Sequence, residues 1–512
     1  MMKKNLVKLL LLVLAAVLLI GGLSGCPGKK APSTETTTTK DPSGGPTGTK
    51  LPDKYWDRDY DVAGYSIADG YTVGLYAESP ADTVSSLIYS RNKVIEEKYG
   101  ITVTYTDYAL NSGNDRAFVD LVQKDAFTGK TQYELIAASV SECSSLINSD
   151  EDYLINFYDS KRLPYLDLSN SCWDQSSLEQ LSANNRLYVL TGDLNLTEKM
   201  NMGLLMYNRN YLSNMMGNNA ETELLDMVRY GSWTLAEMAI MVKDAATLDS
   251  GTGEVTGYGL SVRNNRSFFY YIAGCGVNFA VKNDQDIPEL VIDNEKTLNV
   301  VDKLLEFCSL KHHKDKDGTC YYARYSGDFT NAENVFLNGK ALFYGADVKD
   351  IDTFKGRDID FTYGYLPYPK WNSAQKDYFV SVNTFFSTML IVPEVVSDSE
   401  FASFGLQALG EGSPQITNQY VEVNCKIKGA LDELQYEMLQ IAIAHPTYDL
   451  GVFYDWGNGF MGIFVDGYHY QINGEEYEAI AVCGENNFKT LWGAYGGMVE
   501  EECNKFVEKM TK

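Results

Sequence analysis

The chain has 512 residues and a hydrophobic fraction of 45%, so its composition favours a folded body. Its 69 acidic side chains outnumber its 43 basic ones, which gives a formal net charge of −26. A surface of this sign repels phosphate backbones, so we expect no nucleic acid among the partners.

The first 26 residues have the order of a secretory signal. Three lysines within the first eight residues precede an unbroken apolar run over residues 9–20. That run is shorter than the roughly 20 apolar residues that span a bilayer, which argues against a transmembrane helix. Residues 23–26, Leu-Ser-Gly-Cys, resemble the lipobox of bacterial lipoproteins. The resemblance implies that residues 1–25 are a signal peptide and that Cys26 is lipidated, with an ordinary cleaved signal as the alternative.

Residues 26–52 are rich in Thr, Ser, Pro, Gly and Lys. Such a segment cannot bury a core, so we predict a disordered linker that spans about 25 to 30 Å. Beyond it about 460 residues remain, which is more than one hydrophobic core usually holds and suits two large lobes or two to three domains.

Strand and helix patterns alternate from residue 71 onward. Residues 71–76 read as a strand, and residues 82–99 carry an N-cap and an apolar stripe at helical spacing. Alternating apolar residues predict a strand over 101–106, a helical pattern follows over 114–127, and 133–138 reads as the next strand. This order is typical of a parallel α/β sheet.

Further along the chain, Thr234 precedes Glu237 by three residues, which is the spacing of a capping box and predicts a helix start at Thr234. Apolar residues from Leu431 to Ile441 predict another helix, which His445-Pro446 ends.

The eight cysteines other than Cys26 form no C-x-x-C pair. Their spacing therefore does not indicate zinc or redox chemistry, and we expect no metal or cofactor. Disulfides and buried free thiols both remain open, and Cys308 and Cys320 are the closest pair in sequence.

Several stretches together resemble the family 1 extracellular solute-binding proteins of ABC importers, which include the maltose-binding proteins. They occur in the order of the family motifs, and they are residues 91–103 (RNKVIEEKYGITV), 133–136 (YELI), 185–190 (NRLYVL), 205–209 (LMYNR), 336–343 (FLNGKALF) and 363–367 (YGYLP). The chain departs from the family pattern at Asn185, which replaces a glycine. It also lacks alternating carboxylates over residues 249–254, so we predict no calcium site there.

This resemblance implies an α/β, two-lobed fold like that of periplasmic binding proteins, with a hinge and an interlobe cleft. By analogy, lobe 1 comprises residues 53–200 and 366–412, and lobe 2 comprises residues 201–365 and 413–512. Ligands of open parallel sheets collect at the carboxyl ends of strands, so we expect the solute there.

Sugars need flat aromatic faces for their C–H surfaces and planar polar groups for their hydroxyls. The loops that follow predicted strands, and a Trp-Asp segment that resembles a family motif, supply the lobe 1 candidates Glu78, Ser139, Ser141, Trp173, Asp174 and Asn383. The lobe 2 candidates come from three stretches that resemble family segments. Phe269 and Tyr270 lie where relatives have an aromatic pair, Tyr344 and Asp347 follow the 336–343 motif, and Asp455 and Trp456 lie in an aromatic-rich segment. Trp456, Tyr344 and Trp173 are the first choices for stacking, although packing in a core or on a sheet would equally explain an aromatic residue.

The resulting hypothesis is a lipid-anchored solute-binding component of an ABC importer, on the extracellular face of the bacterial cytoplasmic membrane. It would bind a small-molecule solute, such as a sugar or oligosaccharide, dock on permease subunits and act as a monomer. The chain has no P-loop, G-x-S-x-G or H-E-x-x-H pattern, so we expect no catalysis. A secreted glycoside hydrolase, whose two carboxylates cannot be recognised from sequence, and a non-transport glycan-binding lipoprotein are the alternatives.

Overall fold

The computed structural model describes residues 51–65, 74–108, 116–262, 266–308, 323–325, 329–355, 357–384, 386–427, 432–457, 463–464, 469–472, 475–478, 480 and 485–512. The predicted signal peptide, Cys26 and all but the last two residues of the predicted linker lie outside these ranges. Leu51, within the predicted linker, is buried in the core.

The strands of the described residues fall into two larger sheets and several short pairs. In chain order they are β1 (Arg58–Tyr65), β2 (Ile101–Tyr108), β3 (Leu135–Ser139), β4 (Gly203–Asn208), β5 (Thr247–Leu248), β6 (Val255–Val262), β7 (Ala280–Lys282), β8 (Pro288–Leu290), β9 (Ala323–Tyr325), β10 (Ala341–Asp347), β11 (Tyr363–Leu366), β12 (Val380–Ser381), β13 (Thr388–Ile391), β14 (Pro446–Thr447), β15 (His469–Ile472) and β16 (Glu475–Glu478).

The helices occupy the segments between strands. In chain order they are α1 (Thr83–Tyr99), α2 (Ala117–Thr128), α3 (Val140–Ile147), α4 (Gln175–Leu181), α5 (Leu196–Met200), α6 (Arg209–Met216), α7 (Ala220–Arg229), α8 (Leu235–Ala245), α9 (Arg266–Gly274), α10 (Glu295–Cys308), α11 (Phe329–Leu337), α12 (Asp350–Lys355), α13 (Ser399–Glu411), α14 (Pro414–Gln419), α15 (Glu433–Ile443), α16 (Leu450–Phe453) and α17 (Phe488–Thr511), with a π-helix at Tyr420–Ile427.

The first sheet has the order β13-β3-β1-β2. β1 pairs in parallel with both β2 and β3, and β13 returns antiparallel to β3. The predicted strands over 101–106 and 133–138 are confirmed as β2 and β3, within a few residues. The strand predicted over 71–76 is wrong for residues 74–76, which are irregular, and residues 71–73 lie outside the described ranges.

The predicted helices that follow these strands are confirmed. α1 begins after Asp82, whose side chain accepts a hydrogen bond from the backbone N–H of Ser85 at 2.9 Å, and the Ser85 hydroxyl accepts one from the Asp82 N–H. The helix ends at Gly100, which has φ = 62°. A Cβ there would lie 2.5 Å from the Tyr55 ring, so both the turn and the close packing require glycine.

The second sheet has the order β11-β4-β10-β6-β5, and β9 also pairs with β6. β10, β6 and β9 run in parallel, whereas β4 lies antiparallel to both β10 and β11. The predicted helix start is confirmed at α8, where the Thr234 side chain accepts a hydrogen bond from the Glu237 N–H. The helix predicted over 431–441 is confirmed as α15.

Within the described residues, segments that cross between the two sheets lie side by side at β12, β14 and Met202. β12 and β14 pair in parallel, Met202 forms a bridge with Val382, and the Asn383 N–H donates to the Asn201 carbonyl at 2.8 Å. Near the end of α17, the Asn184 side chain donates to the Met510 carbonyl at 2.8 Å. The end of the chain therefore also contacts a segment that lies before the second sheet in sequence.

Candidate functional site

A cavity of about 720 Å³ lies at the carboxyl end of β3 and beside the crossing strands. Val140, directly after β3, and Met389 of β13 come from the first-sheet side, while Phe269 of α9, residues 280–284 and Asp286 come from the second-sheet side. β12 and β14 provide Ser381 and Thr447 at the crossing. The position agrees with the rule that open parallel sheets bind ligands beyond the carboxyl ends of their strands.

Aromatic side chains form part of the cavity wall. Phe269, Tyr448 and Phe453 are buried, whereas Phe379 is half-buried and passes close to Gly276. Phe269 also packs on Phe279, with 6.1 Å between the ring centroids. The cavity therefore offers flat apolar faces next to polar groups, and its volume lies within the range of about 300–1,000 Å³ that is usual for small-ligand sites.

Gln180, on α4, holds the crossing segment against the cavity. Its side-chain N–H donates to the Pro446 carbonyl at 3.2 Å, and its carbonyl accepts from the Tyr448 N–H at 2.8 Å. Two hydrogen bonds to one amide fix its orientation. Gln180 therefore positions β14 and Tyr448 relative to α4.

The Asp449 carboxylate joins two parts of the wall. One oxygen accepts from the Phe279 N–H at 2.6 Å, and the other accepts from the Gly451 N–H at 2.9 Å, at the start of α16. Burial raises the pKa of Asp449 to about 6, and the backbone hydrogen bonds only partly oppose this rise. Asp449 therefore holds the start of the β7 strand against the segment that carries Val452 and Phe453.

The hairpin of β7 and β8 closes one side of the cavity. Lys282 forms an ion pair with Asp286 at 2.6 Å and donates to the Ser182 carbonyl at 3.1 Å, at the end of α4, as well as to the Glu179 carbonyl. The Asn184 N–H donates to the Asp286 carbonyl at 3.1 Å. The hairpin is thus bound to the end of α4, which also lines the cavity.

A buried charged cluster adjoins the N-terminus of α4. The Lys199 ammonium lies 2.9 Å from Glu198 and 3.9 Å from Asp174. Burial raises the pKa of Asp174 and of Asp193 to about 6, with Glu198 adding to the rise and Lys199 opposing it. Asp174, one of the predicted ligand contacts, also caps α4 by accepting from the Ser177 N–H at 2.6 Å.

Of the predicted ligand contacts, Phe269 lies on the cavity wall. Ser139 and Ser141 flank the lining residue Val140, and the Ser139 hydroxyl donates to Glu142 at 2.9 Å. Asn383 is buried at the crossing, between the lining residues Val382 and Thr384. Glu78 is exposed and does not line the cavity.

The three residues chosen first for stacking are buried in packing contacts and do not line the cavity. Trp173 packs on α13, where a Cβ at Gly410 would lie 2.9 Å from its ring. Tyr344 stacks on Phe336 at 5.3 Å, and Trp456 packs on Phe506 at 5.3 Å between centroids. Ligand contact by these residues stays a prediction.

The other predicted residues of the second-sheet side also lie off the cavity wall. The Tyr270 hydroxyl donates to Asp347 at 2.7 Å, and Asp347 lies 3.9 Å from the Lys349 ammonium. Asp455 follows α16 and has φ = 50°, a conformation uncommon outside glycine.

Sequence reasoning missed the residues that build most of the cavity wall, above all Gln180, Lys282, Tyr448 and Asp449. Asp449 carries one signal, because an aspartate before Leu450 and Gly451 suits an N-cap. Nothing in the sequence indicates that its second oxygen receives the Phe279 N–H, about 170 residues away.

Neither metal-binding nor membrane-spanning features occur in the described ranges. No group of three or more His, Cys, Asp or Glu side chains there is arranged to hold a metal ion. Within the same ranges, no helix is both long and apolar enough to cross a bilayer.

No protein-family model and no curated protein matches the chain. Among solved structures, M. tuberculosis UspC superposes with a TM-score of 0.53 at 12% identity, over 87% of this chain and 100% of that one. An ABC transporter solute-binding protein of Thermotoga lettingae TMO, bound to α-D-tagatose, superposes with a TM-score of 0.50 at 13% identity, over 88% of this chain and 100% of that one.

Both structures superpose on most of the chain, and each is covered over its whole length. The fold expected from the sequence motifs is therefore confirmed. The chain has the two-lobed α/β fold of the solute-binding proteins of ABC transporters.

Proposed function

We propose that the protein captures a sugar or oligosaccharide in the cavity between its two sheets and presents it to the permease of an ABC importer. The observation that carries this proposal is the cavity of about 720 Å³, which combines aromatic faces with hydrogen-bonding groups from both sides of the crossing. A structural neighbour described as bound to α-D-tagatose adds support for a sugar as the solute.

The chemistry of the wall suits a sugar. Phe379 is half-buried and offers a ring face for the C–H surface of a pyranose. Ser381, Thr447 and Asn278 bring hydroxyl and amide groups to the same cavity, where they can exchange hydrogen bonds with sugar hydroxyls. Within the predicted set, Phe269 is the residue that we assign to ligand contact.

The crossing segments supply the means of closure. β12, β14 and the Met202–Val382 bridge are short, so a rotation about them would move the two sheets as bodies. We assign lobe 1 to residues 53–200 and 366–412, and lobe 2 to residues 201–365 and 413–512. Closure around the solute would then create the surface that a permease recognises.

The place of action follows from the N-terminal sequence. Residues 23–26 resemble a lipobox, so we propose that acylated Cys26 anchors the chain to the extracellular face of the bacterial cytoplasmic membrane. The linker would let the body move near the permease while it stays attached. The body would work as a monomer and would catalyse no reaction on its solute.

A thermal-shift screen of the full chain against neutral mono- and oligosaccharides tests the proposal. A ligand at about 100 times its dissociation constant should stabilise the folded state by about 2.7 kcal/mol, and mass spectrometry should recover it unchanged. Stabilisation by no sugar would contradict sugar binding, and release of shorter products would instead identify a glycoside hydrolase.

Substitution at the cavity wall locates the site. Phe379→Leu should weaken sugar binding about tenfold, because a branched alkyl group cannot replace the ring face. The matched control is Phe127→Leu, since Phe127 is 93% exposed and does not line the cavity. Equal affinities of the two variants would place the sugar elsewhere.

A further inference from the structure

The cavity wall carries an unequal set of charges. Glu179, Asp284, Asp286 and Asp449 contribute carboxylates, whereas Lys282 is the one lysine among the described lining residues, which include no arginine. Asp449 is bound by backbone N–H groups and adds negative charge close to the wall. A solute in this cavity therefore meets a field of mainly one sign.

The basic side chains of the wall already have partners. Lys282 is paired with Asp286 at 2.6 Å and also donates to the Ser182 carbonyl. The Asp286 carboxylate therefore already neutralises the Lys282 charge, at the contact between the hairpin and α4. His445 has its Nε2 atom 3.5 Å from the Asp377 carboxylate. An anionic solute would find no free cation among the described lining residues.

Two carboxylates of the wall, those of Glu179 and Asp284, are exposed and form no ion pair within the described residues. Glu179 lies on α4, and Asp284 lies in the segment between β7 and β8. These two carboxylates can therefore both interact with a bound solute.

We infer that the cavity selects sugars by charge: it favours those with a protonated amino group, accepts neutral ones, and rejects those with a carboxylate. This selectivity rests on the proposed sugar binding and specifies its solute class. A protonated amine in the cavity would gain attraction from Glu179 and Asp284, and the lining rings of Phe379 and Tyr448 also favour a cation. A uronate would meet the same carboxylates as repulsion, without a compensating cation.

Calorimetric titration of the full chain with matched monosaccharides tests this inference. The probes are glucose, galactose and mannose, each compared with its 2-amino sugar and its uronic acid, slightly below neutral pH where the amine is protonated. Within a series that binds, the amino sugar should bind about tenfold more tightly than the neutral sugar, and the uronate about tenfold more weakly. The differences should shrink at about 1 M salt, where the Debye length is about 3 Å.

In the double variant Glu179→Gln/Asp284→Asn, the three charge classes should bind with nearly equal affinities. The control Glu97→Gln/Glu223→Gln removes the same charge from exposed positions on α1 and α7 and should bind like the wild type. Equal affinities of the wild type across the three charge classes, or a preference for the uronate, would overturn the selectivity but leave sugar binding intact. If no sugar binds either in this titration or in the thermal-shift screen, the proposed function itself fails, and the inference fails with it.

Discussion

The Asp449 side chain shows how one residue can shape a cavity wall through hydrogen bonds to the backbone. Its carboxylate receives N–H groups from both Phe279 and Gly451, so two segments that are distant in sequence form one wall. A carboxylate with several backbone donors usually has a lowered pKa, yet here burial outweighs them and raises the pKa to about 6. The site therefore holds a carboxyl group whose ionisation opposes folding.

This property predicts a pH effect on stability. The folded-state pKa of about 6 exceeds the unfolded value of about 3.9, so the folded protein binds more protons between these values. The free energy of unfolding should therefore fall as pH rises from about 4 to 6, by about 2 kcal/mol from this group. Asp449→Asn should remove that contribution, which urea unfolding at several pH values would measure.

The exposed residue Asp120, on α2, provides the control for this experiment. Asp120→Asn changes the same chemical group and should keep the wild-type pH profile. A profile for Asp449→Asn that runs parallel to the wild type would show that Asp449 titrates at the same pH in both states.

At the scale of elements, long periodic segments could be predicted and short or polar ones could not. Residues 83–99 form α1 because their apolar stripe and Asp82 cap act locally. β1 escaped prediction because its first residues, Arg58 to Asp61, are mostly charged. In the structure Arg58 pairs with Asp398 and with Glu134, and Asp61 accepts the Thr104 hydroxyl, so distant partners stabilise a strand that looks polar.

The same limit applies to the candidate site. The carboxyl end of β3 could be predicted, and the cavity does adjoin it at Val140. The sequence could not show which aromatic residues line the cavity and which pack in the core. Trp173 and Tyr344 are predicted to contact the ligand from their positions in the sequence, but their rings lie buried in packing contacts. The β7 and β8 strands have three residues each, which is too short for periodicity to indicate a hairpin.

That hairpin gives an element-scale prediction. Lys282→Met keeps the apolar stem of the side chain but removes the ammonium that binds Asp286 and the Ser182 carbonyl. The free energy of unfolding should fall by about 1 to 2 kcal/mol, because charged hydrogen bonds to a helix end are lost. Hydrogen exchange should also accelerate for backbone amides of residues 280–290.

Lys505→Met is the matched substitution. Lys505 pairs with Glu501 on the surface of α17 with 63% of its side chain exposed, so its loss should lower the free energy of unfolding much less than the loss of Lys282 does. Equal losses in the two variants, with unchanged exchange in the hairpin, would show that Lys282 does not fasten the hairpin to α4.

At the scale of the whole molecule, an acidic body with a cavity between two sheets follows an N-terminal segment that is basic and apolar. The body carries most of the 69 acidic residues, whereas residues 1–8 contain three lysines and residues 9–20 are apolar. Net negative charge keeps such a body soluble and away from anionic headgroups. Retention at a membrane would therefore depend on the N-terminal segment alone.

The chemistry of that segment predicts the effect of one substitution. Cys26→Ala removes the thiol that would carry the lipid, so the chain should no longer incorporate labelled fatty acid and should leave the membrane fraction. Its sugar affinity should not change, because the described cavity wall begins at Val140. Thr38→Ala, in the predicted linker, should keep both the label and the membrane association. If the Cys26→Ala chain stays on washed membranes, the apolar run of about 12 residues anchors the protein in place of a lipid, even though that run is short for a bilayer.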